Sequence, residues 1–236
     1  MSSPASGSPT IETIAVIGAG TMGHGIAQVA AACGFRVLLN DVDREALARG
    51  VRAIEGNLAK GIQLAKLTED DRDRTLQHIH GTTKLEECAA ADLIIEAAPE
   101  KLELKQDILR QLETVSDHSF IFASNTSSLS ISEIAAQSHR PEAVVGMHFF
   151  NPVHIMRLVE IVVGRKTSDE TVQTVTEVGR KMRKEPIVVR DVPGFASSRL
   201  GVALGLEAMR MVEQASPARA TLIPRWNSVT TIRWDR

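Results

Sequence analysis

Apolar positions along the chain alternate between short β-branched runs and longer helix-spaced stretches. Thr13-Ile-Ala-Val-Ile17 is the first run, and the helix-favouring Ile26 to Ala32 follows it. The same reading places a strand at Phe35 to Leu39, a long helix from about Arg44 to Lys66, a strand near Gln77 to Thr82 and an apolar strand at Asp92 to Glu96. A helix over about Leu102 to Glu113, a strand at Phe120 to Ala123, a helix from about Ile131 and a strand at Ala143 to Met147 continue the alternation. Strands around Leu158 to Val163 and Pro186 to Val189 flank a helix at about Ser168 to Lys184. Short, continuous apolar runs read as strands buried on both faces. Helices between successive strands imply a doubly wound, mostly parallel α/β sheet, with ligands at the carboxyl ends of its strands. Asp191-Val-Pro-Gly194 is a boundary signal, after which Phe195 to Gln214 reads as one long helix without further strands.

The turn after the first run carries chemistry. Gly18-Ala19-Gly20-Thr21-Met22-Gly23 joins strand to helix. Gly18 allows the turn, Gly20 lets backbone approach a pyrophosphate, and Gly23 lets the helix pack closely on the strand, the arrangement of a Rossmann-like dinucleotide site. Amides at the helix N-terminus then face the phosphates. Asp41, at the end of the second strand, lies at about the distance expected of the acid that binds the adenosine ribose, and it favours NAD because a 2′-phosphate would meet it as a like charge. The alternative role for Asp41 is a cap on the following helix.

Composition narrows the class. With 236 residues and 43% apolar content, the chain can fill one good core and part of a second domain. A formal charge of −2 and few aromatics argue against a nucleic-acid partner. No apolar run approaches a bilayer span, so no membrane association is expected. Cys33 and Cys88 have no metal-type spacing, which fits a reducing, cytoplasmic setting and no metal site. Residues 1–10, MSSPASGSPT, read as a disordered tail.

Val145-Gly-Met-His-Phe-Phe-Asn-Pro152 places His148 where an apolar run meets a proline turn. Histidine can take or give a proton near neutral pH at little cost. A lone histidine at a strand end is more often structural, so the rest of the chain must support a catalytic role.

GAGTMGHGIAQ, IIEAAPEKLELK, SNTSSLSI, GMHFFNPVHIMRLVEIV and the DVPGF segment with Ser198 and Arg199 occur in one order and spacing. In these five motifs the chain resembles the 3-hydroxyacyl-CoA dehydrogenases, most closely the bacterial 3-hydroxybutyryl-CoA type, over roughly Ile11 to Gln214. The resemblance implies NAD-dependent oxidation of a short-chain (S)-3-hydroxyacyl-CoA to the 3-oxoacyl-CoA, as in fatty acid β-oxidation or butanoate-type metabolism. It implies that His148 is the general base, with Glu160 as the carboxylate that orients it. A salt-bridged structural acid is the alternative for Glu160. Ser127 would hydrogen-bond the substrate's oxygen and lie beside the cofactor, and Asn151 would hold the nicotinamide ribose. Glu100 and Lys105 correspond to cofactor contacts, the alternative being an ordinary pair on a solvated helix start. Lys60 and Lys66, both placed on the long helix, are candidates for the coenzyme A phosphates. Ser198 stands where the family often has Asn, and a hydroxyl lacks the amide's paired donor and acceptor. Two other readings are a non-catalytic NAD-binding or structural relative, and a dehydrogenase of a free hydroxy acid or sugar acid.

The expected organisation is a Rossmann-like domain over 11–191, the first helix of an all-α domain over 192–214, and an aberrant tail over 215–236. The resemblance stops after Gln214. Back-translating from Ala220 with suitable codons and skipping two bases reads DIDTAMELGYNHPMGP, the continuation expected of the family. A reading frame shifted near Gln214 is therefore expected, and an intact frame in the DNA there would overturn it. Leu200, Val202, Leu204, Leu206, Met209 and Met211 leave the preceding helix apolar on nearly every face. By the resemblance, a full-length parent would be a homodimer whose C-terminal helices cover this helix, and the truncated chain would aggregate.

Overall fold

The computed structural model describes residues 10–214; residues 1–9 and 215–236, with the tail and frame-shift expectations that fall on them, lie outside the described residues. The chain divides into two units, one ending at Pro193 and the other beginning at Gly194.

The first unit is built on one eight-stranded sheet of order β3-β2-β1-β4-β5-β6-β7-β8. Its strands are β1 (Thr13–Ile17), β2 (Arg36–Asn40), β3 (Ile79–Thr82), β4 (Leu93–Glu96), β5 (Ile121–Ser124), β6 (Val144–Phe149), β7 (Leu158–Val163) and β8 (Glu185–Arg190). Helices α1 (Thr21–Ala32), α2 (Arg44–Gln63), α3 (Glu69–Gln77), α4 (Leu102–Val115), α5 (Ile131–Ile134) and α6 (Asp169–Lys181) connect them. β4, β5 and β6 are buried at every position, which is why they read as continuous apolar runs. Burying each Ile, Leu or Val of these strands contributes about 1.5–3 kcal/mol relative to exposure.

All pairings among β1 to β6 are parallel, and β7 runs antiparallel to β6. Two consequences position the site. The carboxyl ends of β1, β4, β5 and β6 share one edge of the sheet, with the order reversing between β1 and β4, where crossovers go opposite ways and leave a crevice. The antiparallel step sets His148 directly opposite Glu160.

Helix ends follow local chemistry. Asp43, Ser130 and Ser168 cap α2, α5 and α6 by accepting from backbone N–H groups. The sequence pattern did not show α3, which buries only Thr75 and has no apolar stripe; its signal is the capping box formed by Thr68 and Asp71. The long helix ends at Gln63 rather than Lys66, so Lys66 lies in the following turn, where Ala65 has φ +53°.

Asp191, just past β8, fastens that end of the sheet to α5. It accepts from Ser130 Oγ at 2.7 Å, Ile131 N at 3.1 Å and Ser132 N at 2.8 Å. Burial pushes its pKa up, but the hydrogen bonds from Ser132, Ser130 and Ile131 outweigh that and hold it below the usual carboxylate value. A carboxyl depressed on folding contributes stability that is full above its unfolded pKa, about 3.9, and lost as pH falls through the folded value. Asp191→Asn is therefore expected to melt below the parent at pH 7, with the gap closing as the pH is lowered into the acid range. Thermal melts across pH check this, and a gap that does not change with pH would sink it.

The second unit contains α7 (Ser197–Glu213), entered through Gly194 at φ +75°. Leu200, Val202, Leu206 and Met209 are each half or more exposed on it. Among the described residues no helix is long and apolar enough to cross a membrane.

Candidate active site

The turn after β1 is shaped for close approach. Gly18 has φ +97°, and a Cβ there would meet the Ala97 carbonyl oxygen at 2.7 Å. At Gly23 a Cβ would lie 1.7 Å from the Gly18 carbonyl oxygen, so α1 sits directly on the turn. A Cβ at Gly20 would meet nothing within 4 Å, and no side chain caps α1 there. Open space thus adjoins an uncapped helix N-terminus whose backbone dipole favours an anion. Ala19, Thr21 and Met22 complete that turn. Asp41 does not cap α2, which Asp43 does. It accepts from Ala19 N at 2.9 Å and Asp43 N at 3.0 Å, so its carboxylate is held beside the turn with lone pairs remaining for a ribose.

A buried histidine–carboxylate pair lies farther along the same edge. His148 Nδ1 is 2.7 Å from Glu160 Oε2, with Glu160 fully buried and His148 8% exposed. A carboxylate accepts, so Nδ1 carries the proton and Nε2 is the basic nitrogen of that tautomer. Cross-strand registry holds the two residues opposite each other, and the Phe150 ring packs on the imidazole at 4.5 Å between centroids. Asn125 Oδ1 accepts from Phe149 N at 2.9 Å, clamping the turn after β5 to the strand beside His148. The sequence pattern did not single out Asn125; its place inside the SNTSS turn was the available signal.

The Glu100 and Lys105 pair is not a solvated one. The Lys105 side chain is 1% exposed, and its Nζ donates to Glu96 Oε1 at 2.7 Å and to the Ala98 carbonyl at 3.3 Å. It also lies 3.2 Å from Glu100 Oε2. Glu96, fully buried and not foreseen from sequence, accepts in addition from Ala98 N at 2.7 Å and Ser124 Oγ at 2.6 Å. Glu100 accepts from Thr126 Oγ1, from Ser127 N at 3.2 Å and from Ser128 Oγ at 3.0 Å. Burial pushes the Glu100 pKa up, while the Thr126 hydroxyl, the Lys105 ammonium and the Ser128 hydroxyl together hold it below the ordinary value. Ser127 is exposed at the tip of this turn, and Asn151 is exposed just past Phe150 in the loop after β6. Ser198 belongs to the other unit, in the first turn of α7.

A cavity of about 720 Å³ opens beside α1, α2 and α3. Lys66, Arg74, Arg157, Arg183 and Lys184 line it against one carboxylate, Asp71. Arg74 is already paired with Asp71 at 2.5 Å and Arg157 with Glu185 at 2.8 Å, so the excess of positive charge in the lining comes from Lys66, Arg183 and Lys184. Lys60 is exposed and outside the lining, though its charge reaches His154, which is part of it. Lys184, 8% exposed, donates to the carbonyls of Val153 and Met156, the latter at 2.8 Å, and so ties the loop after His148 to the cavity wall. Cys88 is buried, its thiol pushed up to about 12 chiefly by desolvation, and takes no part. Among the described residues no group of His, Cys, Asp and Glu could hold a metal ion.

Residues 13–192 match the family model described as 3-hydroxyacyl-CoA dehydrogenase, NAD binding domain. The chain belongs to the 3-hydroxyacyl-CoA dehydrogenase family. Its cofactor is NAD, and the glycine turn, Asp41 and the uncapped start of α1 fit that group. The chain is 46% identical over 197 residues to the probable 3-hydroxybutyryl-CoA dehydrogenase of Deinococcus radiodurans, covering 84% of this chain and 70% of that one. It is 43% identical over 204 residues to the 3-hydroxyadipyl-CoA dehydrogenase of Escherichia coli, covering 86% of this chain but 43% of that one. The solved (S)-3-hydroxybutyryl-CoA dehydrogenase of Ralstonia eutropha superposes with a TM-score of 0.88 at 38% identity, over 91% of this chain and 76% of that one. This chain thus spans from under half to about three quarters of these relatives.

Proposed function

We propose that this chain carries the NAD-dependent oxidation of a short-chain (S)-3-hydroxyacyl-CoA to the 3-oxoacyl-CoA. The observation that carries the reading is the buried His148–Glu160 pair, 2.7 Å apart at the carboxyl edge of a dinucleotide-binding sheet. His148 takes the proton of the 3-hydroxyl, and Glu160 holds the imidazole in one tautomer and stabilises the imidazolium that forms. Bound NAD supplies the hydride acceptor. Ser127 hydrogen-bonds the reacting oxygen, and Asn151 and Glu100 bear on the nicotinamide side of the site.

The cationic cavity favours a phosphate-bearing carrier over a free hydroxy acid or sugar acid, because a small acid would leave most of its charges unmatched. Lys66 there takes a phosphate of coenzyme A, with Lys60 at the margin. Purified chain should oxidise NADH on addition of acetoacetyl-CoA. Absence of both NADH binding and turnover would overturn the assignment. Lys66→Ala should raise KM for acetoacetyl-CoA about fivefold, since exposed charge pairs contribute up to about 1 kcal/mol. KM for an acetoacetyl thioester without phosphates should not change. An equal effect on both substrates would remove Lys66 from phosphate binding.

A further inference from the structure

Glu96 and Lys105 are charged groups with almost no exposure, at 0% and 1%. Stability alone does not call for such a pair, since apolar residues of similar volume often serve as well. Their hydrogen bonds all point one way. Glu96 reaches Ala98 N and Ser124 Oγ, and Lys105 reaches the Ala98 carbonyl and Glu100. Those partners lie in the loop that leaves β4 and at the last residue of β5. Two carboxylates share one ammonium, so Lys105 is held from below by Glu96 at 2.7 Å while it holds Glu100 from above at 3.2 Å. Glu100 in turn gathers Thr126 Oγ1, Ser127 N and Ser128 Oγ. Thr126 Oγ1 also accepts from Ser128 N and Leu129 N, at 3.2 and 2.9 Å. The backbone of the Ser127 turn is therefore tied to these buried charges by a run of hydrogen bonds, in addition to the Asn125 clamp on Phe149.

We propose that Glu96 and Lys105 are positioning residues that act through Glu100 to fix the backbone of Ser127. Lys105, 1% exposed, reaches the turn through Glu100. The proposal rests, for its catalytic consequence, on the reading of Ser127 as a substrate contact.

The test is the full chain carrying Glu96→Gln and Lys105→Met together, which removes both charges and leaves no lone buried ion. Hydrogen exchange read by NMR should show the amides of Ser127, Ser128 and Leu129 exchanging about tenfold faster, with the amides of β1 unchanged. KM for acetoacetyl-CoA should rise about tenfold while kcat per folded molecule changes less than about threefold, a split that uniform loss of stability would not produce. Unchanged exchange at the three amides in the folded double variant overturns the proposal, whatever the activity. Faster exchange with unchanged KM supports the positioning and instead sinks Ser127 as a substrate contact. Glu100→Gln, at a half-exposed position, carries the same exchange readout if the double variant does not fold: faster exchange at Ser127 supports the proposal, and unchanged exchange overturns it.

Discussion

His148→Gln is expected to lower kcat for acetoacetyl-CoA reduction by about 10² to 10⁴, the usual contribution of a positioned acid or base. NADH affinity should stay within about threefold, because the side chain lost is not one that holds the dinucleotide. Glutamine is the informative replacement. Its amide can still donate to Glu160, which is fully buried, so the carboxylate keeps a donor and the fold is not asked to tolerate an exposed defect in the core. It has no nitrogen that takes a proton. Stopped-flow or steady-state rates with fluorescence titration of NADH separate the two quantities, and turnover within about threefold of the parent would remove His148 from proton transfer.

Gly23→Ala is expected to have the second large effect, on binding and stability together. A Cβ at this position would sit 1.7 Å from the Gly18 carbonyl oxygen and 2.8 Å from its carbonyl carbon. Backbone cannot swing aside as a flexible side chain can, so α1 or the turn must move. Overpacking of this kind costs about 1–3 kcal/mol or more, and a backbone clash belongs at the upper end. The displaced turn would also carry Gly20 and the start of α1 away from the pyrophosphate position. NADH affinity should fall by more than about tenfold, with a melting temperature lower by several degrees. Gly20→Ala is the internal comparison, because a Cβ there meets nothing within 4 Å of this chain. It should melt like the parent even if NADH binding suffers. A Gly23→Ala variant that binds NADH and melts normally would show that the contact relaxes at no cost.

The central strands and the glycine turn were legible because burial on both faces forces continuous apolar runs, and because close approach at Gly18 and Gly23 admits only glycine. The antiparallel step was within reach too. The link from Phe149 to Leu158 is too short for the crossover that a parallel pair needs, which spans a dozen residues or more. α3 was hidden because a helix with almost no buried side chain leaves no periodic trace. The burial of Lys105 was not legible for a related reason. Five residues after a glutamate at a helix start, it looks like any surface lysine, and only the carboxylate of Glu96 arriving from β4 makes its burial affordable.

Glu160 became a candidate through the family resemblance; the amino-acid sequence by itself determined the alternation of strand and helix, the dinucleotide turn and His148 as a candidate. Those features are set by short-range periodicity and by residue types that few alternatives can replace. Tertiary structure decided which atoms meet: His148 with Glu160 across β6 and β7, Asp41 with the Ala19 amide, Glu96 with Lys105 and Glu100 beneath the Ser127 turn. These partners lie between 5 and 22 residues apart along the chain. Their distances follow from strand register and from the stacking of loops at one edge of the sheet, which no local pattern records.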